Sequence, residues 1–156
     1  MSKTLVTYFT ASGVTRKAAE KLAQTIGADL YEIKPAVLYT QADLDYMNQN
    51  SRSSVEMKDP ASRPELADKD ANIAAYDVIY VGYPIWWGVA PHVVNSFLEA
   101  YDFRGKTVVP FATSGGSGVG NVQTYIAPSV PGAVVKEGKR LGGTEDAEAL
   151  KVWALS

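Results

Sequence analysis

The 156-residue chain has no cysteine and a single histidine, His92. The first absence excludes disulfides, a thiol nucleophile and any cysteine-ligated zinc or iron–sulfur cluster. The second excludes a histidine-rich metal centre, so no metal is expected. No stretch approaches the ~18 apolar residues that mark a membrane span, and no membrane partner is expected. Basic charge is not in excess: 15 Lys and Arg stand against 17 Asp and Glu, for a formal charge of −2. That balance offers no footprint for nucleic acid. Lys3 and Thr4 lead straight into an apolar run without signal-peptide features, so a cytoplasmic location is expected.

What the chain does have is an alternation of two periodicities. Residues 3–9 hold Leu5, Val6, Tyr8 and Phe9 in a nearly continuous apolar run, the pattern of a parallel strand covered on both faces. Val14, Ala18, Leu22 and Ile26, with Ala19 and Ala23 beside them, then predict a helix over 15–26, closed by Gly27. Leu30, Tyr31 and Ile33 make a short strand that Pro35 ends. Further strands are expected at 77–83, 107–112 and 133–135. Helices are expected near 71–75, after Pro91, up to about 126, and around Ala147, Leu150, Trp153 and Ala154. This order predicts a single domain over residues 1–156 with an α/β fold. A five-stranded, doubly wound parallel sheet would carry helices on both faces. Residues 34–70 read as a long polar insert after the second strand, aperiodic apart from a helical turn near 41–44. Such loops tend to be functional or mobile.

Ligands bind open parallel sheets beyond the carboxyl ends of the strands. Three unusual segments leave from that edge. Thr10, Ala11, Ser12, Gly13, Val14 and Thr15 join the first strand to a helix N-terminus. Unpaired backbone N–H groups there, with hydroxyl donors beside them, suit a phosphate; a plain helix cap by Ser12 or Thr15 is the alternative. No Walker sequence follows. Pro84, Ile85, Trp86, Trp87 and Gly88 form the second segment. Two adjacent indoles cannot easily share one core, so one is expected at the edge as a platform for a flat ring, the alternative being core filling. Thr113, Ser114, Gly115, Gly116, Gly118 and Gly120 belong to the third, either a backbone edge for a planar ligand or a flexible connector. It has no dinucleotide fingerprint. Together the loops describe one ligand with an anionic tail and a planar ring. No catalytic residue is assigned. His92 reads as a partly exposed surface residue, and Arg52 and Arg63 read as solvated charges.

At these loops the chain resembles the flavodoxins. Their phosphate loop, Ser/Thr-x-Ser/Thr-Gly-x-Thr, is matched by residues 10–15, and their Trp-Gly after the third strand by Trp87-Gly88. The Gly-Tyr-Pro-Ile-Trp-Trp-Gly of residues 82–88 is similar to a bacterial flavodoxin-like subfamily. The resemblance implies strand order 2-1-3-4-5, one non-covalent FMN, Trp87 stacked on its ring and a peptide at Gly88 that can turn over. It implies an electron-transfer role, with redox proteins or a small-molecule acceptor as partners. Well-studied flavodoxins are strongly acidic, whereas this chain is nearly balanced. The charge and the polar insert keep open a second reading, an NAD(P)H-dependent FMN or quinone reductase on the same fold. A receiver-type module is the distant third, since Phe9-Thr10 and Tyr83-Pro84 stand where such a module needs acidic residues.

Overall fold

A computed structural model describes residues 3–11, 13–113, 120–141 and 147–154. Its elements are β1 (Thr4–Tyr8), α1 (Val14–Ile26), β2 (Asp29–Glu32), α2 (Arg52–Lys58), β3 (Val78–Pro84), α3 (His92–Glu99), β4 (Thr107–Thr113), α4 (Val122–Tyr125), β5 (Val134–Val135), β6 (Lys139–Arg140) and α5 (Ala147–Ala154). Every pairing among these strands is parallel, and the sheet order is β2-β1-β3-β4-β5. The doubly wound α/β architecture expected from the sequence is therefore present.

The outermost position differs from expectation, because two short strands share it. β5 pairs with Thr107 and Val108, and β6 with Phe111 and Ala112. Pro110 explains the break between them. The carbonyls of Val108 and Ala112 accept bonds from the N–H groups of Lys136 and Leu141. Pro110 has the same parity along the strand, so its missing N–H falls on that side. Gly138 passes the gap at φ +85, where a Cβ would stand 2.7 Å from the Pro110 carbonyl oxygen.

Both faces of the sheet are buried. Leu5, Phe9, Ile79, Val81 and Tyr83 pack with Val93, Val94 and Phe97 of α3 on one face. Val6, Tyr8, Tyr80, Val109 and Phe111 pack with α1 and α5 on the other. The buried stripe of α1 is Thr15, Ala18, Ala19, Leu22 and Ala23. The expected stripe began one residue too early: Val14 is 50% exposed. Thr15 continues the i, i+3, i+4 spacing inward, because its hydroxyl finds a partner there (below).

The insert is more ordered than its composition suggests. A bridge between Pro35 and Leu66 closes its base, and Ala36 and Ala67 donate to Glu65 and Lys34 carbonyls. Residues 52–58, expected as aperiodic loop, form α2 with Ser51 as the N-cap. Arg52 is not a solvated charge. Its guanidinium lies 3.8 Å from the Tyr39 ring centroid, and its Nε donates to Glu56 at 2.9 Å. Arg63 is likewise paired, through Nε, with Glu99.

Candidate functional site

The carboxyl ends of β1, β3 and β4 lie side by side, which brings the three segments together. In the first, Gly13 is the N-cap of α1 at φ +92 and has no side chain with which to cap it. Its N–H donates to Thr10 Oγ1 at 2.9 Å. No acidic side chain stands in the first turn of α1, so nothing there opposes an anion. Thr15 is buried, and its Oγ1 is 2.7 Å from Thr113 Oγ1. Either hydroxyl can donate to the other, which leaves one O–H of the pair for a further acceptor. That contact ties the front of α1 to the end of β4. Ser12 lies outside the described residues, as do Ser114, Gly115, Gly116 and Gly118 of the third segment.

The second segment is a tight reversal. Trp86 and Val89 exchange backbone bonds at 2.9 and 3.2 Å, with Trp87 (φ +50) and Gly88 (φ +82) at the corner. Two positive φ values define a type I′ turn. Glycine enters that region freely, but a bulky residue there is uncommon and costs about 1–3 kcal/mol. The turn separates the two indoles. Trp86 packs edge-on to Phe9 and Tyr39, with centroids 5.8 and 5.4 Å away. Trp87 is thrust outward and is 54% exposed. The Gly88 carbonyl oxygen lies 3.4 Å from where a Cβ on Gly120 would stand, so the second and third segments touch through backbone.

A cavity of about 370 Å³ opens beside Trp87, lined by Ala11, Pro84, Ile85, Trp86 and Trp87 together with Leu44, Tyr46 and Ser53 from the insert. The loop motifs of the sequence do not point to these insert residues. The signal available was the Arg52–Glu56 spacing of i, i+4 behind a serine cap, which reads as a helix start. A groove of about 490 Å³ at Val78 and Thr107 lies at the opposite, amino ends of the strands, away from these segments.

The walls suit a flat, mostly apolar ring with a polar edge. One observation is specific: Ser53 Oγ is the buried side-chain polar atom that has no hydrogen-bond partner among the described residues. Leaving a buried hydroxyl unpaired costs about 1–3 kcal/mol. Ser53 lines the cavity, but its Oγ is closed off from it.

The arrangement is that of a doubly wound α/β domain with its candidate site at the carboxyl edge of the sheet. A family model described as Flavodoxin matches residues 3–155, and the chain belongs to the flavodoxin family. Among solved structures, it is similar to one named as a flavoprotein of Bacteroides eggerthii, with 52% identity and TM-score 0.92, covering 98% of this chain and 96% of that one. A second, from Bacteroides uniformis, has 46% identity and TM-score 0.87, with 99% of each chain covered. A flavoprotein of Lactobacillus acidophilus, solved in complex with FMN, shares the fold at 23% identity and TM-score 0.72, again over 99% of each chain. No curated protein matches. FMN is the cofactor of the family, and the chain is a flavoprotein of flavodoxin type.

Proposed function

We propose that the chain holds one FMN non-covalently at this edge and works as an electron carrier. The observation that carries the reading is a conjunction. An α1 N-terminus free of acidic side chains adjoins a turn that spends strain to hold Trp87 outward beside an apolar cavity. The N–H groups at the front of α1, with Thr10, Ser12 and the Thr15–Thr113 pair, would hold the phosphate. Trp87 would cover one face of the ring, and Pro84, Ile85 and Ala11 would exclude water from its edge. Gly88, already at positive φ, gives the turn a peptide that can reorient at little cost. When bound, the flavin supplies the redox chemistry, and the chain supplies orientation and environment. Redox proteins or a small-molecule acceptor would be the partners.

The test is direct. Purified protein should carry flavin absorbance or take it up from added FMN, and FMN should bind more tightly than riboflavin, which lacks the phosphate. Ser12→Ala or Thr15→Ala should each weaken FMN by about 1.5–3 kcal/mol, the worth of a hydrogen bond to a charged group, and leave riboflavin affinity unchanged. Unchanged FMN affinity in both variants removes the phosphate assignment.

A second reading is an NAD(P)H-dependent FMN or quinone reductase. It is favoured by the insert's contribution of Leu44, Tyr46 and Ser53 to the cavity, since a walled cavity suits a small acceptor. Steady-state oxidation of NADPH with a quinone separates the two, because a carrier needs a separate reductase.

A further inference from the structure

Exposed apolar side chains are unevenly spread over the molecule. Val37, Leu38, Tyr46 and Met47 are 68–78% exposed, and all four come from one short stretch of the insert. Single exposed apolar residues are ordinary on a protein surface, whereas clusters mark contact sites. Leu38 and Tyr46 line two neighbouring cavities that share Ala11 as a wall, and Trp87 lines the second beside Tyr46. The stretch is held in place by its own bonds. Leu44 N–H donates to the Thr40 carbonyl, Thr40 and Asp43 cap each other's backbone, and Asp45 accepts from Met47 N–H. Tyr39 anchors it inward, with its ring edge-on to Phe9 and Trp86 and its hydroxyl on Glu56. A surface ordered before its partner arrives loses less entropy on docking.

Charge says what the partner carries. Residues 36–66 hold five acidic and three basic side chains, so the chain's formal −2 is the charge of the insert, and the remaining residues hold twelve of each sign. No basic residue lies between Lys34 and Arg52, and Arg52 is engaged by Tyr39, Glu56 and the Val37 carbonyl. Asp43 and Asp45 form no ion pair among the described residues. A second copy of the chain would bring the same carboxylates to the contact, and an anionic lipid surface would repel them.

We propose that residues 37–47, with Trp87 beside them, are the docking surface for a protein redox partner that presents an apolar patch ringed by Lys or Arg. This rests on the electron-carrier reading above and makes the partner a protein rather than a small acceptor. The exposed Tyr, Met and Trp supply contact area of the kind enriched in interfaces. The two carboxylates steer the approach and fix its orientation. Contact here sets the partner against the turn that carries Trp87.

The probe is reduced mitochondrial cytochrome c, a basic haem protein with an apolar haem edge, added to the isotope-labelled full chain with and without FMN. Amide shifts should move at residues 37–47 and at the Trp87 indole N–H, and affinity should fall steeply between about 0.01 and 0.5 M salt as the Debye length shrinks. Asp43→Asn with Asp45→Asn keeps the side-chain acceptors and removes the charge. It should weaken association about fivefold, as should Leu38→Ser with Met47→Ser. Both double variants should keep the wild-type melting temperature and FMN affinity. Shifts that map to other residues, wild-type affinity in either double variant, or no dependence on salt would overturn the proposal. So would concentration-dependent dimerisation that moves the same amides, which would give the surface to a second copy. Flavin uptake without docking leaves the FMN reading intact and ends this one. Docking without flavin uptake keeps the surface and ends the carrier role.

Discussion

The sheet frame and the insert are held together by opposite means. In the frame, apolar side chains at helix and strand periods meet across two buried faces. In the insert, polar groups do most of the joining. Thr40 and Asp43 cap each other's backbone. Arg52, Tyr39 and Glu56 lock together, and Ser62 and Arg63 reach α3 at His92 and Glu99. Apolar burial is non-directional and shows in sequence as a period. Polar joints depend on geometry between residues far apart in sequence, and they leave no period to read. The same difference predicts how each region fails.

The largest effect should come from the frame. Phe111 is fully buried, and its ring lies over Gly82 on the adjacent strand, where a Cβ would stand 2.2 Å from Cζ. Phe111→Ala should cost about 3–5 kcal/mol of global stability, read by denaturant unfolding as a lower midpoint at unchanged slope. The reciprocal change, Gly82→Ala, overfills the same contact and should cost about 1–3 kcal/mol. A loss below about 1 kcal/mol for Phe111→Ala would mean that the two faces are not the main source of stability.

The frame was legible because its signals are local and repeated. The strands, the glycine that ends α1 and the outward indole all follow from residue type and spacing. The errors fell where one local rule met a distant partner. Thr15 displaced Val14 from the buried stripe because Thr113, nearly a hundred positions on (|i−j| = 98), satisfies its hydroxyl. The fifth strand split because Pro110, on the strand next to it, offers no N–H. Arg52 looked like a surface charge until Tyr39 came beneath it. Of the site, the three loops could be placed at one edge from topology. The cavity wall of Leu44, Tyr46 and Ser53 could not, because nothing in an aperiodic segment says which residues fold back over Trp86.

The middle-sized effect should be local to the insert. Arg52→Ala removes a guanidinium–ring contact worth about 0.5–2 kcal/mol and an ion pair worth about 0–1 kcal/mol. Tyr39 keeps its bond to Glu56. The expected outcome is faster amide exchange across residues 36–66, with β3 and β4 exchanging as in wild type, because segments open independently of the frame when few apolar contacts tie them to it. Equal acceleration in both regions would break the comparison, since it would show the insert and frame unfolding as one unit.

The smallest effect sits at the joint between the two regions. His92 begins α3 in the frame, and its Nδ1 lies 2.6 Å from Ser62 Oγ in the insert. Ser62 spends its own proton on the Glu56 carbonyl, so it accepts from Nδ1–H, which fixes the neutral tautomer. Burial, and then the nearby positive charge of Arg63, lower the His92 pKa from its ordinary 6.5. The Glu56 carbonyl and the carboxylates of Glu56 and Asp59 pull the other way without reversing the shift. With the folded pKa below the unfolded one, the unfolded chain takes up the proton first as pH falls. The contribution of this joint is therefore complete above pH 6.5 and is lost progressively as the pH drops below it toward the folded value. His92→Gln cannot titrate, so it should flatten the part of the stability profile just below pH 6.5 and leave the profile above pH 7 parallel to wild type. A profile that keeps the wild-type slope below 6.5 would assign the acid sensitivity to other groups and leave Ser62 and His92 as a purely geometric link.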